Sequence, residues 1–297
     1  MRNFLIALSF AVAAIPAAAA DDSCKLTMVG SFDLSPEHGG VTLPVIVDGI
    51  ATKMLVDTGG PVTMIGPDAV KQLGLRVLGV YGGEFMDVKG GALTKQVIIP
   101  SLQVGAMHIS DLHAVILPWW KDPAVMGTLA ADFLMHFDVE FDFAGGKMNL
   151  FSQDHCPGQA VYWTHAPAAA IPIEIDPHGH VVADVTADGH AVKAILDTGA
   201  STSAIREGLA RSVLGVTPQS PGVVVVGERD GAKLYRYTVK TLALGDIAFA
   251  NAAVRILPEE GSALRRTFLI GRPELKKLHL FVSYKERMVY ATAADAH

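Results

Sequence analysis

The chain is poor in most residues that announce a function. Among 297 residues there are two cysteines and three tryptophans, and only 18% are charged. No Cys-x-x-Cys or His-Glu-x-x-His spacing occurs, and the eleven histidines are scattered, which argues against a metal site. Basic residues are in deficit, with 24 Lys and Arg against 30 Asp and Glu and a net charge of −6. That balance excludes the basic footprint of a nucleic-acid or anionic-lipid binder. Beyond the N-terminal stretch, no apolar run is long enough to span a bilayer. The pairs Gly82-Gly83 and Gly90-Gly91 lack a phosphate-loop pattern, and Ser201-Thr202-Ser203 has no partnered histidine for nucleophilic catalysis.

What is present favours strands. Half of the residues are hydrophobic, Val, Ile and Gly are abundant, and long charged stretches are few. Residues 1–20 read as a secretory signal, with Arg2 at the start, Phe4 to Ile15 apolar, and Ala18-Ala19-Ala20 as the cleavage site. Export to a periplasm or the extracellular space is therefore expected, with no membrane span after signal removal. In an oxidising compartment the two cysteines, Cys24 and Cys156, are expected to form one disulfide.

The tripeptide Asp-Thr-Gly occurs twice, as Asp57-Thr58-Gly59 and Asp197-Thr198-Gly199, each after an apolar run. A carboxylate there leaves a strand and enters a turn that glycine makes possible. Two copies with matching flanks suggest two carboxylates brought face to face, the arrangement that activates a water molecule.

The flanks repeat as well. Asp48-Gly49 and Asp188-Gly189 each lie between apolar runs, a hairpin signal. Thr63 and Ser203 both follow their aspartate by six residues, and short helical stretches are expected over about 67–73 and 207–213. Ile116-Leu117-Pro118 answers Ile256-Leu257-Pro258, and Val125-Met126-Gly127 answers Leu269-Ile270-Gly271. Each half closes with a helical turn and two strands joined by a tight turn. Trp119 and Trp120 are candidates either for a cleft wall or for packing at a lobe edge. His178 and His180 flank a Gly-rich turn and are expected to be solvated. The pattern is a duplicated β unit, divided into a signal over 1–20, a first lobe over 21–152, a linker over 153–167 and a second lobe over 168–297.

On these motifs the chain resembles the retropepsin and pepsin clan of aspartic proteases, most closely the bacterial retropepsin-like proteins with two tandem units. The resemblance implies an all-β, bilobal, pepsin-like fold built from two retropepsin-like β-barrels. It implies that Asp57 and Asp197 are the catalytic pair of an endopeptidase. Thr58 and Thr198 would cross-brace the two loops, and Gly59 and Gly199 would let backbone approach the substrate. Flexible hairpins would cover the cleft, with candidates from Tyr81 to Gly91, including Gly82 and Gly83, and from Gly227 to Gly231. Peptide or unfolded protein is the implied substrate, with no metal or organic cofactor. Two departures stand out: Gly60 where Ala or Ser is usual, and Thr128 where a charged residue often follows the glycine, a position that Arg272 fits. A catalytically silent peptide- or envelope-binding module on the same fold is the alternative. A monomer with an intrachain pair is expected, and a homodimer in which each aspartate meets its own copy stays open.

Overall fold

The computed structural model describes residues 25–35, 41–79, 85–86, 92–229, 232–258 and 268–295. The expected signal and Cys24 lie outside them, as do Tyr81, Gly82, Gly83 and Gly231.

Each half starts with a hairpin whose turn two residues dictate. Asp48 and Gly49 take φ of 46° and 79°, and Asp188 and Gly189 take 48° and 83°. Two successive left-handed residues make the turn whose twist matches the flanking strands. Aspartate tolerates that conformation, and glycine has no Cβ to clash. The turns join Thr42–Val47 to Ile50–Val56, and Val181–Ala187 to His190–Leu196.

Both hairpins are built into closed barrels. In the first half the hydrogen-bonded order is Thr42–Val47, Ile50–Val56, Gly127–Leu129, Met64–Ile65, Met107–Ile116 and Lys95–Val104. Ile46 and Val47 then pair with Gln103 and Leu102 and close the ring. In the second half the order is Val181–Ala187, His190–Leu196, Phe268–Ile270, Ser203–Arg206, Ile247–Leu257 and Ala232–Leu244, closed by Val185 against Leu244. Closure satisfies the backbone groups that an open sheet edge would leave unpaired. The fold is all-β and bilobal, as the resemblance implies.

The closing strands of the two halves do not cap their own barrels. Asp138–Asp142 pairs antiparallel with Leu278–Ser283, from Val139 opposite Val282 to Asp142 opposite His279. Lys147–Phe151 and Met28–Asp33 extend the sheet on one side, and Met288–Ala293 and Ala169–Ile175 on the other. Three strands from each half thus form one sheet that fixes how the lobes face each other.

A buried polar network anchors the connector to that sheet. Asp138 and Glu140 are fully buried. As alternate residues of one strand they share a face. Asp138 accepts from the Ser283 hydroxyl (2.7 Å), the Tyr284 N–H (3.0 Å) and His155 Nε2 (2.6 Å). Glu140 accepts from Asn149, the Tyr162 hydroxyl (2.6 Å) and His279 Nε2 (2.7 Å). Trp163 stacks on His279, with ring centroids 4.3 Å apart and planes within 2°. The stretch from 152 to 168 holds no strand, yet its His155 and Tyr162 bond the same first-lobe carboxylates that accept directly from second-lobe donors. Buried carboxylates persist only when paired in this way.

Burial alone would lower the His155 pKa, but the Asp138 hydrogen bond, the Cys156 carbonyl and the Asp138 and Glu286 charges outweigh it, and the net shift is upward. A raised histidine stabilises the fold below its unfolded pKa, and that contribution fades as pH rises through the raised folded value. Replacing His155 by Gln is therefore expected to cost about 2–3 kcal/mol at pH 5. The deficit should shrink at pH 8. Urea unfolding of both proteins at the two pH values reads this directly, and an equal deficit at both would show that His155 does not titrate in this range.

Candidate active site at the lobe interface

Parallel strand pairing places the two aspartates. Leu129 lies beside Val56 and Ile270 beside Leu196. One residue further, the Asp57 N–H donates to the Leu129 carbonyl (3.0 Å) and the Asp197 N–H to the Ile270 carbonyl (2.9 Å). Each chain leaves its strand at the same depth, on opposite sides of one interface.

The threonines that follow hold the two loops together. The Thr58 N–H donates to Thr198 Oγ1 (3.1 Å) and the Thr198 N–H to Thr58 Oγ1 (3.0 Å). Each hydroxyl in turn donates across the interface, Thr58 to the Leu196 carbonyl (2.6 Å) and Thr198 to the Val56 carbonyl (2.8 Å). Both side chains are buried, so the reciprocal bonds are shielded from water and fix the spacing of the loops.

The glycines set how close the carboxylates come. A Cβ on Gly59 would lie 2.2 Å from Asp197 Cγ, and one on Gly199 would lie 2.3 Å from Asp57 Oδ1. Each carboxylate therefore sits against the glycine of the other lobe, close enough for the Asp197 charge to act on Asp57. Asp57 Oδ1 also accepts the Gly59 N–H (3.0 Å), and Asp197 Oδ1 accepts the Ala200 N–H (2.8 Å).

Electrostatics follow from this crowding. Burial raises the Asp57 pKa strongly, and the Asp197 charge adds to it, against the N–H groups of Gly59 and Gly60. Burial also raises Asp197, but more opposes it: the N–H groups of Ala200 and Gly199, then the charges of Arg272 and His180. Two carboxyls in contact share one proton and titrate as a unit. One can hold a proton while the other accepts one.

A hydroxyl and a carboxylate brace each loop from behind. Asp132 accepts from both the Thr63 N–H and its hydroxyl (2.8 Å each). In the second lobe the Ser203 hydroxyl bonds the Glu274 carboxylate and accepts the Gly271 N–H (2.9 Å). These supports had a visible signal, a hydroxyl six residues past each aspartate, but their carboxylate partners lie about 70 residues further on.

Three expectations need correction. Gly127 is not the counterpart of Gly271. Register places Gly127 beside Met54 and Phe268 beside Ala194, so Ala130 answers Gly271 and Ala131 answers Arg272. Gly127 is small for another reason, since a Cβ there would sit 2.0 Å from the Met64 carbonyl oxygen. The departure assigned to Thr128 accordingly belongs to Ala131. His180 is not solvated: it is 2% exposed, and its Nδ1 bonds Asp176 at 2.8 Å. His178 is exposed.

Of the cover candidates, Gly227 lies in Val224–Arg229, which pairs with Ala232–Leu244 around a bulge at Val225 and Gly227. That strand ends the sheet and exposes Val224, Val225 and Val226. In the first lobe Phe85–Met86 pairs with Ala92–Leu93. Trp120 packs with Met64, Val115 and Leu117, and its indole N–H donates to the Val125 carbonyl (2.7 Å). Among the described residues no group of His, Cys, Asp and Glu could hold a metal ion.

Two barrels joined by one sheet, with a carboxyl pair and reciprocal threonine bonds at their interface, define the bilobal acid-protease class. The chain belongs to the aspartyl protease family, whose model matches residues 43–133 and again 183–273. Among solved structures it is similar to an aspartic proteinase from Irpex lacteus, with a TM-score of 0.54 and 14% identity, covering 90% of this chain and 97% of that one. At that identity the likeness speaks for the fold. No curated protein matches.

Proposed function

We propose that the protein is an exported aspartic endopeptidase that hydrolyses peptide bonds with a water activated by Asp57 and Asp197. The observation that carries this reading is the close approach of two carboxyls from two lobes, each set against the other loop's glycine and held by Thr58 and Thr198. The ionised carboxylate takes a proton from water while the protonated one hydrogen-bonds the scissile carbonyl, and the leaving amine is protonated as the C–N bond breaks. The substrate is peptide or unfolded protein lying between the lobes, assigned to 21–152 and 168–297. The hairpin of Val224–Arg229 and Ala232–Leu244 ends its sheet among the described residues, an edge that an extended peptide can join.

A peptide-library digest with the wild type beside Asp197→Asn tests the activity. Cleavage by the wild type alone supports the reading, whereas peptide binding without cleavage by either protein would make it a binding module. Cleavage should persist at monomer mass, because one chain carries both half-sites; activity lost on dilution would point to a dimeric site.

Export carries its own expected result. No cysteine among the described residues is free, and the sequence has one further cysteine, Cys24. A Cys24–Cys156 bond would tie the mature N-terminus to the end of the first lobe. Closing so long a loop stabilises by up to about 4–5 kcal/mol in the chain-entropy model. Mass spectrometry of protein from an oxidising compartment should find the bridged peptide pair, and two free thiols would refute it.

A further inference from the structure

The two lobes differ by one buried cation beside the carboxyl pair. Ala131 and Arg272 are equivalent, since the Ala131 N–H donates to the Gly60 carbonyl (3.1 Å) as the Arg272 N–H does to the Ala200 carbonyl (3.0 Å). Arg272 is 6% exposed, and its Nη1 donates to the carbonyls of Thr198 (2.9 Å) and Gly199 (2.7 Å). These residues directly follow Asp197, so the guanidinium is clamped to the loop of one aspartate. A buried guanidinium is costly unless its charge is compensated, and the charges that compensate it are those of Asp197 and then Asp57.

The remaining groups reinforce the asymmetry. Asp197 faces the N–H groups of Ala200 and Gly199, Arg272, the buried His180 and Asp57, whereas Asp57 faces Asp197, the N–H groups of Gly59 and Gly60 and, more weakly than Asp197 does, Arg272. His180 is itself held by Asp176 through Nδ1, while its Nε2 is buried with no hydrogen-bond partner among the described residues.

We propose that Arg272 is a positioning residue that decides which aspartate carries the shared proton, keeping Asp197 ionised and Asp57 protonated. This rests on the reading of the pair as the hydrolytic dyad. Asp197 then accepts the proton of the attacking water as its oxygen bonds the carbonyl carbon. The carbonyl π pair moves to oxygen, which takes the Asp57 proton. In collapse, Asp197 returns its proton to the amine nitrogen as the C–N bond breaks, and Asp57 recovers a proton from the hydroxyl that becomes the new carbonyl.

The two Asn variants isolate each carboxyl, and 13Cγ NMR of labelled aspartate, assigned by difference, reads its titration without turnover. Asp197 in the Asp57→Asn variant should titrate at least one unit below Asp57 in the Asp197→Asn variant, about tenfold in ionisation. Adding Arg272→Gln to Asp57→Asn should raise the Asp197 midpoint by a similar amount, and Arg272→Lys should leave it near its original value. With both aspartates present, Arg272→Gln should move the acid limb of kcat/KM to higher pH, and Arg272→Lys should not. Equal or reversed midpoints, or an Asp197 midpoint unmoved by Arg272→Gln, would overturn the proposal. Should Arg272→Gln fail to fold, the order of the two single-variant midpoints decides alone. Turnover by Asp57→Asn would instead sink the dyad, which keeps the two failures distinct.

Discussion

Replacing Asp57 or Asp197 by Asn is expected to lower peptide hydrolysis by roughly 10³-fold or more while leaving the fold intact. Asn matches Asp in size and keeps one acceptor oxygen, so the Gly59 and Ala200 N–H groups retain a partner. It cannot accept a proton from water or share a titrating one. The double variant should fall little below either single one, because the two groups act as a unit. The same substitutions should change stability in a defined direction. Both carboxyls have raised pKa values, so the pair favours the fold below the ordinary carboxylate range and loses that contribution as pH rises through the raised values. Wild type should therefore lose more thermal stability between pH 4 and pH 7 than either Asn variant. Near-normal turnover in a single variant of confirmed mass would exclude the paired mechanism.

The second large effect is expected from a single methyl group. In Gly199→Ala the new Cβ would stand 2.3 Å from Asp57 Oδ1, and in Gly59→Ala it would stand 2.2 Å from Asp197 Cγ. No side chain tolerates such a contact, so either the loop or the opposing carboxyl must move. Displacing a reacting group by about 1 Å can cost on the order of 10²-fold in rate. Relief of the clash should cost about 1–3 kcal/mol in stability. Gly79→Ala is the control, since a Cβ there meets none of the described residues within 4 Å. Steady-state kinetics and urea unfolding of the three proteins separate the outcomes. A fully active Gly199→Ala enzyme would show that the carboxyls need not approach this closely.

Much of this protein is legible one segment at a time. Asp48-Gly49 and Asp188-Gly189 announce their hairpins because backbone preference is a property of the residue itself. The short helix Pro67–Gln72 and the strand Leu278–Ser283 lie where local pattern puts them. Asp-Thr-Gly after an apolar run marks a strand end, and its repetition marks a duplicated unit whose carboxyls can meet.

The tertiary structure decided what the copies do to each other. Matching glycines suggested that Gly127 answers Gly271, yet strand register, which the letters do not encode, makes Ala130 the counterpart. Nothing in the local pattern shows that the closing strands of both halves pair with one another and anchor the connector. The threonine bonds, the glycine–carboxyl contacts and the approach of Arg272 and His180 to Asp197 fall in the same class. Most of these contacts join residues about 70 to 140 positions apart. Turns and strands follow from forces acting within a few residues. Proton sharing and the one-sided charge beside it arise only when packing brings those distant groups into one water-poor interface.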